Sequence, residues 1–207
     1  MARDLKQENT KSIFLIMLAS LLFSAFIQFG FFFLPGMIDT LAVGGSGLVL
    51  SALLVLLANL LPHNTKHKLV FTRYRDELPA CRVDQLCRKD PRIEYDIVSQ
   101  RWPEVFNEDI DGNTRNSLWY QQIYKPVKDF QEVSQAHRNF LLYRDTFSGL
   151  FLILLITIGW SFLSSPKLIG EIKPAVFLVQ GLLTILSLIA ARVAGKRLVI
   201  NAVVAAV

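Results

Sequence analysis

Apolar positions recur along this chain in two patterns. The first lies in 131–162, which opens as the charged segment QEVSQAHRNFLLYRD and runs without a proline into TFSGLFLILLITIGWSF. There Val133, Ala136, Phe140, Tyr143, Phe147, Leu150 and Leu154 alternate spacings of three and four, one helical stripe carried from polar into apolar sequence. The spacing predicts a single helix, roughly 48 Å long at about 1.5 Å per residue, which crosses a bilayer and projects beyond it. The second pattern is plain apolar length. Segments 12–34, 40–61, 146–163 and 174–192 are each long enough to span, and none has Lys, Arg, Asp or Glu in its interior.

Together these patterns predict an all-α polytopic membrane protein with four transmembrane helices in two hairpins and an α-helical cytosolic domain between the second and third. The divisions read as a cytosolic tail 1–11, hairpin 12–61, cytosolic domain 62–145, hairpin 146–192, and a cytosolic or interfacial tail 193–207. The N-terminal tail reads as polar and poorly ordered. The first span is long and lacks a terminal small-x-small cleavage site, so it reads as a retained signal-anchor.

Charge sets the orientation. Residues 62–146 hold fourteen Lys or Arg, whereas the first hairpin loop, LPGMID, holds none and the second, 166–173, holds two. By the positive-inside rule both termini and the central domain face the cytoplasm of a bacterial inner membrane. The isoelectric point near 9.3 suggests nucleic acid until the charge is located. The same central segment holds thirteen Asp or Glu and is near neutral, so no direct nucleic-acid partner is expected. The surplus lies in the tails and in HNTKHKLVFTRYR, where Lys66, Lys68, Arg73 and Arg75 form a basic collar for lipid headgroups.

Local signals refine the elements. Asp39 is placed to cap the second span, and Gly44, Gly47 and Ser51 share a face suited to close helix packing. In the body, Asp90 before Pro91 predicts an N-cap, and Pro126 predicts a helix end. Cys81 and Cys87 fit neither a zinc pair nor a redox pair and read as free thiols. Trp160 sits where an interfacial anchor is expected.

Two polar stripes stand out in the spans: Ser20, Ser24 and Gln28 in the first, and Gln180, Thr184 and Ser187 in the last. Polar groups in hydrocarbon need partners, so both stripes are expected to turn inward and line the bundle. His137 and Arg138, with Arg144 and Asp145 where the long helix enters the membrane, are the ligand or switch candidates. The last two are expected to seek partners on other segments. His63 and His67 stand four apart, but with one further His in the chain no metal site is expected, and no cofactor. Nucleophile-elbow, HExxH, Walker and paired-carboxylate signatures are all missing, so the chain does not read as an enzyme.

The runs LPACR, DPRIEYD, NSLWYQQIY and AHRNFLLYRD resemble uncharacterised bacterial four-helix membrane proteins with a cytosolic helical insert. The layout is also similar to that of small membrane effectors of antiphage systems, where a cytosolic module senses and a helical bundle disrupts the membrane. That resemblance implies an antiviral-defence sensor or effector, oligomeric, with the lipid bilayer and a cytosolic protein or small molecule as partners. A non-conducting scaffold that recruits a cytosolic protein, and a transporter or channel subunit, are the alternatives.

Overall fold

The computed structural model describes residues 5–30, 36, 46–162 and 171–207. Among these the chain is helical throughout, without a strand. Asp39, Gly44 and residues 163–170, which include most of the predicted second hairpin loop, lie outside the described residues. In order, the elements are α1 (Leu5–Phe29), α2 (Ser46–Leu60), α3 (His63–Phe71), α4 (Val83–Cys87), α5 (Tyr95–Arg101), α6 (Gly112–Trp119), α7 (Gln131–Phe162) and α8 (Pro174–Ala206). Among the described residues, three stretches are long and apolar enough to cross a membrane: Asn9–Phe29 within α1, α7, and α8. The described part of the predicted second span is α2, 15 residues long.

Two packed units divide the chain, Met1–Pro62 with Leu142–Ile189, and His63–Leu141 with Ala190–Val207. The helices α7 and α8 are unbroken and have residues in both. The first unit is inside out by the standard of a water-soluble bundle. Many of its exposed positions are apolar, including Leu15, Phe23, Leu56, Phe162, Leu178 and Leu182, while Ser20, Ser24, Gln180, Thr184 and Ser187 are buried. Its apolar core joins Ile13 and Met17 of α1, Leu54 and Ala58 of α2, and Ile153 of α7. Gly149 lets these helices close up. A Cβ there would stand 2.5 Å from Met17 Cε and 3.5 Å from Ala58 Cα, the close approach that small residues permit in membrane bundles.

The second unit is built like a soluble domain. Val70, Val83, Val98, Val105, Ile123 and Val133 are essentially inaccessible, and Leu198, Val199, Ile200, Ala202 and Val203 of α8 complete the core. The tail, read as cytosolic or interfacial, is the C-terminal part of one helix, packed into this unit. Gly195 sits against two aromatic rings, and a Cβ there would meet Phe71 Cζ at 2.8 Å and Phe140 Cε2 at 3.2 Å. Arg192 of α8 donates to the carbonyl of Val70 and to Thr72 Oγ1, which ties the helix to the end of α3.

Several local expectations need correcting. The N-terminal tail is helical from Leu5, and Asn9 is buried, because LKQENTK is made largely of strong helix formers. Asp90 caps no α-helix: its carboxylate accepts from the Arg92 amide at 3.1 Å and from Arg92 Nε at 2.9 Å and Nη2 at 3.0 Å, closing a turn, and the helix starts later, at Tyr95. The Arg92 side chain, then its amide, hold the Asp90 carboxyl below its ordinary range. Nor does Pro126 end its segment. A π-helical turn, Tyr120–Tyr124, precedes it and a helical turn, Lys125–Val127, contains it. The wider turn accommodates a residue with no N–H to donate. The expected N-cap role falls instead to Asp111, whose Oδ1 accepts from the amides of Asn113 and Thr114.

Both thiols are buried, Cys81 at 3 % and Cys87 at 1 % exposure. Burial, then Asp84 and Asp90, push the Cys87 thiol up to about 12, and burial followed by Asp76 raises Cys81. The folded protein is expected to resist N-ethylmaleimide at neutral pH and to react only on unfolding, as mass spectrometry of the labelled chain will show. The unfolded Cys87 ionises near its ordinary 9.0 while the folded one stays protonated to about 12. Protons are thus retained by the native state, and the thiol's contribution to stability is lost as pH rises through that window.

Candidate functional site

The two predicted polar stripes meet inside the first unit. Gln180 Nε2 donates to Ser24 Oγ at 3.3 Å, and Ser24 Oγ donates to the Ser20 carbonyl at 2.8 Å. Thr184 and Ser187 donate back to the carbonyls of Gln180 and Thr184. Gln28 is half-buried and clamps the approach to α8, with Nε2 donating to the Glu171 carbonyl at 2.9 Å and Oε1 accepting from the Lys173 amide at 3.0 Å. These residues therefore bond within one chain. Of them, Ser24, Gln28 and Gln180 border an uncharged cavity of about 260 Å³ that also takes in Thr157 and Trp160.

The four ligand or switch candidates are divided between the units: Arg144 and Asp145 belong to the first, His137 and Arg138 to the second. Arg144 and Asp145 pair with each other, Nε to Oδ1 at 3.0 Å and Nη2 to Oδ2 at 3.3 Å, with side chains 3 % and 2 % exposed. Their neighbours 146–150 are buried as well, so the pair lies in a dry layer. His137 Nδ1 lies 2.6 Å from the Tyr124 hydroxyl, with the rings edge to face. Burial, then Tyr120 and Asp129, push that hydroxyl up to about 12, so it stays protonated and donates whenever Nδ1 is unprotonated. Arg138 is half-buried beside it in sequence.

The basic collar is only partly a collar. Lys68, Arg73 and Arg75 are exposed, but Lys66 is 3 % exposed. Helical geometry puts Lys66 one turn before Val70, on the face of α3 that turns into the core. The His67 ring stacks on Phe140 at 6.1 Å and lies 6.2 Å from that of His63. Among the described residues no three His, Cys, Asp or Glu side chains converge as metal ligands.

The second unit contains a cationic cavity of about 330 Å³. Arg73, Arg82, Lys89, Arg192 and Lys196 surround it, and no carboxylate lines it. Phe71 and Leu86 give it an apolar wall. Two of the guanidinium groups are held by neutral acceptors: Arg82 donates to the Asp76 carbonyl at 2.6 Å, and Arg192 to the Val70 carbonyl and Thr72. Burial, then the charge of Arg73, lower the Arg82 pKa, as expected where like charges crowd.

Of these five, sequence reasoning singled out Arg73 alone, as a headgroup residue. Arg192 and Lys196 stand four apart on one helix face beyond the last span, a signal present in the sequence but absorbed into the charge of a tail. Compared with protein-family models, curated proteins and solved structures, the chain matches none.

Proposed function

We propose that this chain is a bacterial inner-membrane sensor or effector, with the first unit as a lipid-embedded bundle and the second as a cytosolic ligand-binding body. The apolar exposed faces of α1, α7 and α8 support embedding, and the excess of basic residues in 62–146 over the hairpin loops supports a cytosolic body. A fourth span through α2 and the residues before it completes the second member of the first hairpin. The observation that carries the functional reading is that α7 and α8 each contribute to both units without a break. An event in the body then reaches the bundle through two continuous helices, and in an oligomer it alters the membrane barrier. The resemblance in layout to antiphage effectors makes defence the setting for such an output.

Two glycines inserted after Gln135 are expected to weaken and re-phase α7 and so break the coupling. In liposomes loaded with a self-quenching dye, leakage by the reconstituted protein should fall to the protein-free background, while oligomer size and helix content stay unchanged. Leakage equal to that of the wild type would overturn coupling through α7.

A second reading, a non-conducting scaffold that recruits a cytosolic protein, is favoured by one observation. Ser24, Gln180, Thr184 and Ser187 are buried and donate within a single chain, which leaves Ser20 Oγ and Gln180 Oε1 as the buried unbonded polar atoms of the stripes. On that reading wild-type liposomes stay tight, and Gln180→Leu leaves partner recruitment intact.

A further inference from the structure

Where carboxylates meet cations in this unit they form ion pairs: Arg88 with Glu108, Arg92 with Asp90 and Arg115 with Asp84. The cationic cavity gathers five cations with no carboxylate in its lining. Arg73, Lys89 and Lys196 make no ion pair among the described residues, and the acceptors that fix Arg82 and Arg192 are carbonyl or hydroxyl oxygens. A carbonyl orients a guanidinium without cancelling its charge. The cavity therefore has two pre-aimed guanidinium groups and three further cations around a partly enclosed space. Such a set is matched by an anion of more than one charge with several acceptor oxygens.

The membrane-facing preference for basic residues accounts for only part of this set. Arg73 follows α3 and Arg192 ends the last apolar run, as that rule expects. Arg82 and Lys89 come from the body, flanking α4, and stand seven residues apart, two helical turns. Three segments distant in sequence thus converge on one cavity.

We propose that this cavity binds a phosphate-bearing anion, seated by Arg73, Arg82, Lys89, Arg192 and Lys196, with the apolar part of the ligand against Phe71 and Leu86. The assignment rests on the reading of the second unit as the ligand-binding body. A phosphate of this kind is offered by an acidic lipid headgroup or by a soluble phosphorylated compound, and the cavity chemistry is the same for both.

The test uses the full chain in phosphatidylcholine nanodiscs and reads melting temperature. One arm adds inorganic pyrophosphate to the solution, and the other replaces part of the lipid with phosphatidic acid. A ligand that binds only the folded protein raises the melting temperature. Lys89→Gln with Lys196→Gln removes two exposed, unpaired cavity charges and should weaken binding by about tenfold or more, with the ligand-free melting temperature kept. Lys125→Gln with Lys128→Gln removes two exposed lysines of the same unit outside the cavity and should leave binding unchanged. If the first pair shifts the ligand-free melt, Arg73→Gln carries the same comparison.

A shift in the lipid arm alone assigns a headgroup, and a shift in the soluble arm alone assigns a free phosphate compound. A shift in both supports recognition of the shared group. No shift in either arm, or equal weakening by the two lysine pairs, would overturn the proposal. Binding is read without leakage, so the two readings fail separately. Binding with leakage indifferent to the glycine insertion retains the site and removes the coupling; no binding with leakage abolished does the reverse.

Discussion

Asp145→Ala is expected to destabilise the detergent-solubilised protein by about 3–5 kcal/mol, because it removes the carboxylate that holds Arg144 Nε and Nη2 in a dry layer. The two side chains are 3 % and 2 % exposed and pair at 3.0 Å, and residues 146–150 after them are all buried. The pair's attraction in a medium of low polarity is large, but so is the penalty for having removed both ions from water. That balance makes the single truncation severe and the double replacement mild. Arg144→Met with Asp145→Leu should therefore recover at least half of the loss seen in either single truncation, measured by thermal melting in the same detergent. Singles no worse than the double would show that the buried pair contributes nothing through its charges.

Adjacent residues on a helix ordinarily point about 100° apart, so a sequence reading sends Arg144 and Asp145 to different neighbours. In the structure the two side chains also bond to each other within that buried layer. Elsewhere the helical period was a reliable guide. Val133, Ala136, Phe140, Phe147 and Leu150 are all buried, and α7 runs over the range that their spacing predicts. Apolar length likewise picked out three of the long helices. These features are local, written in spacing and hydrophobicity within one segment.

What stayed hidden was convergence between segments. Nothing in GKRLVINAVVAAV states that its apolar residues fill the core of the domain formed by 63–141, yet Val199, Ala202 and Val203 do so. In sequence the tail reads as cytosolic or interfacial because a span ending at Arg192 is the simplest account of its charge. The same holds for the cationic cavity, where Arg73, Arg82 and Arg192 are unremarkable until folding places them around one space. Lys66 misled for the opposite reason: a basic residue in a basic run reads as solvated, and only the phase of α3 turns it inward.

Arg115→Ala is expected to be the most damaging substitution in the second unit, at about 3–5 kcal/mol. Its guanidinium joins three segments that have no regular structure in common. Nε donates to the Val105 carbonyl at 3.2 Å, Nη2 to the Asn107 carbonyl at 2.7 Å, and Nη1 to the Cys81 carbonyl and to Asp84 Oδ1, both at 3.3 Å. With the side chain 9 % exposed, water cannot easily replace it, so truncation leaves several acceptors and a largely buried carboxylate unpaired at once. A lysine carries the charge but not the planar fork, so Arg115→Lys should recover less than half of the loss. Amide exchange of the segments around 79–87 and 102–108 in the intact protein would locate the damage. Faster exchange there, with 9–29 unchanged and Cys81 newly reactive to N-ethylmaleimide, is the expected pattern. Exchange unchanged in both segments would mean that the apolar core alone, through Val83, Val98, Val105 and Ile123, holds this unit together.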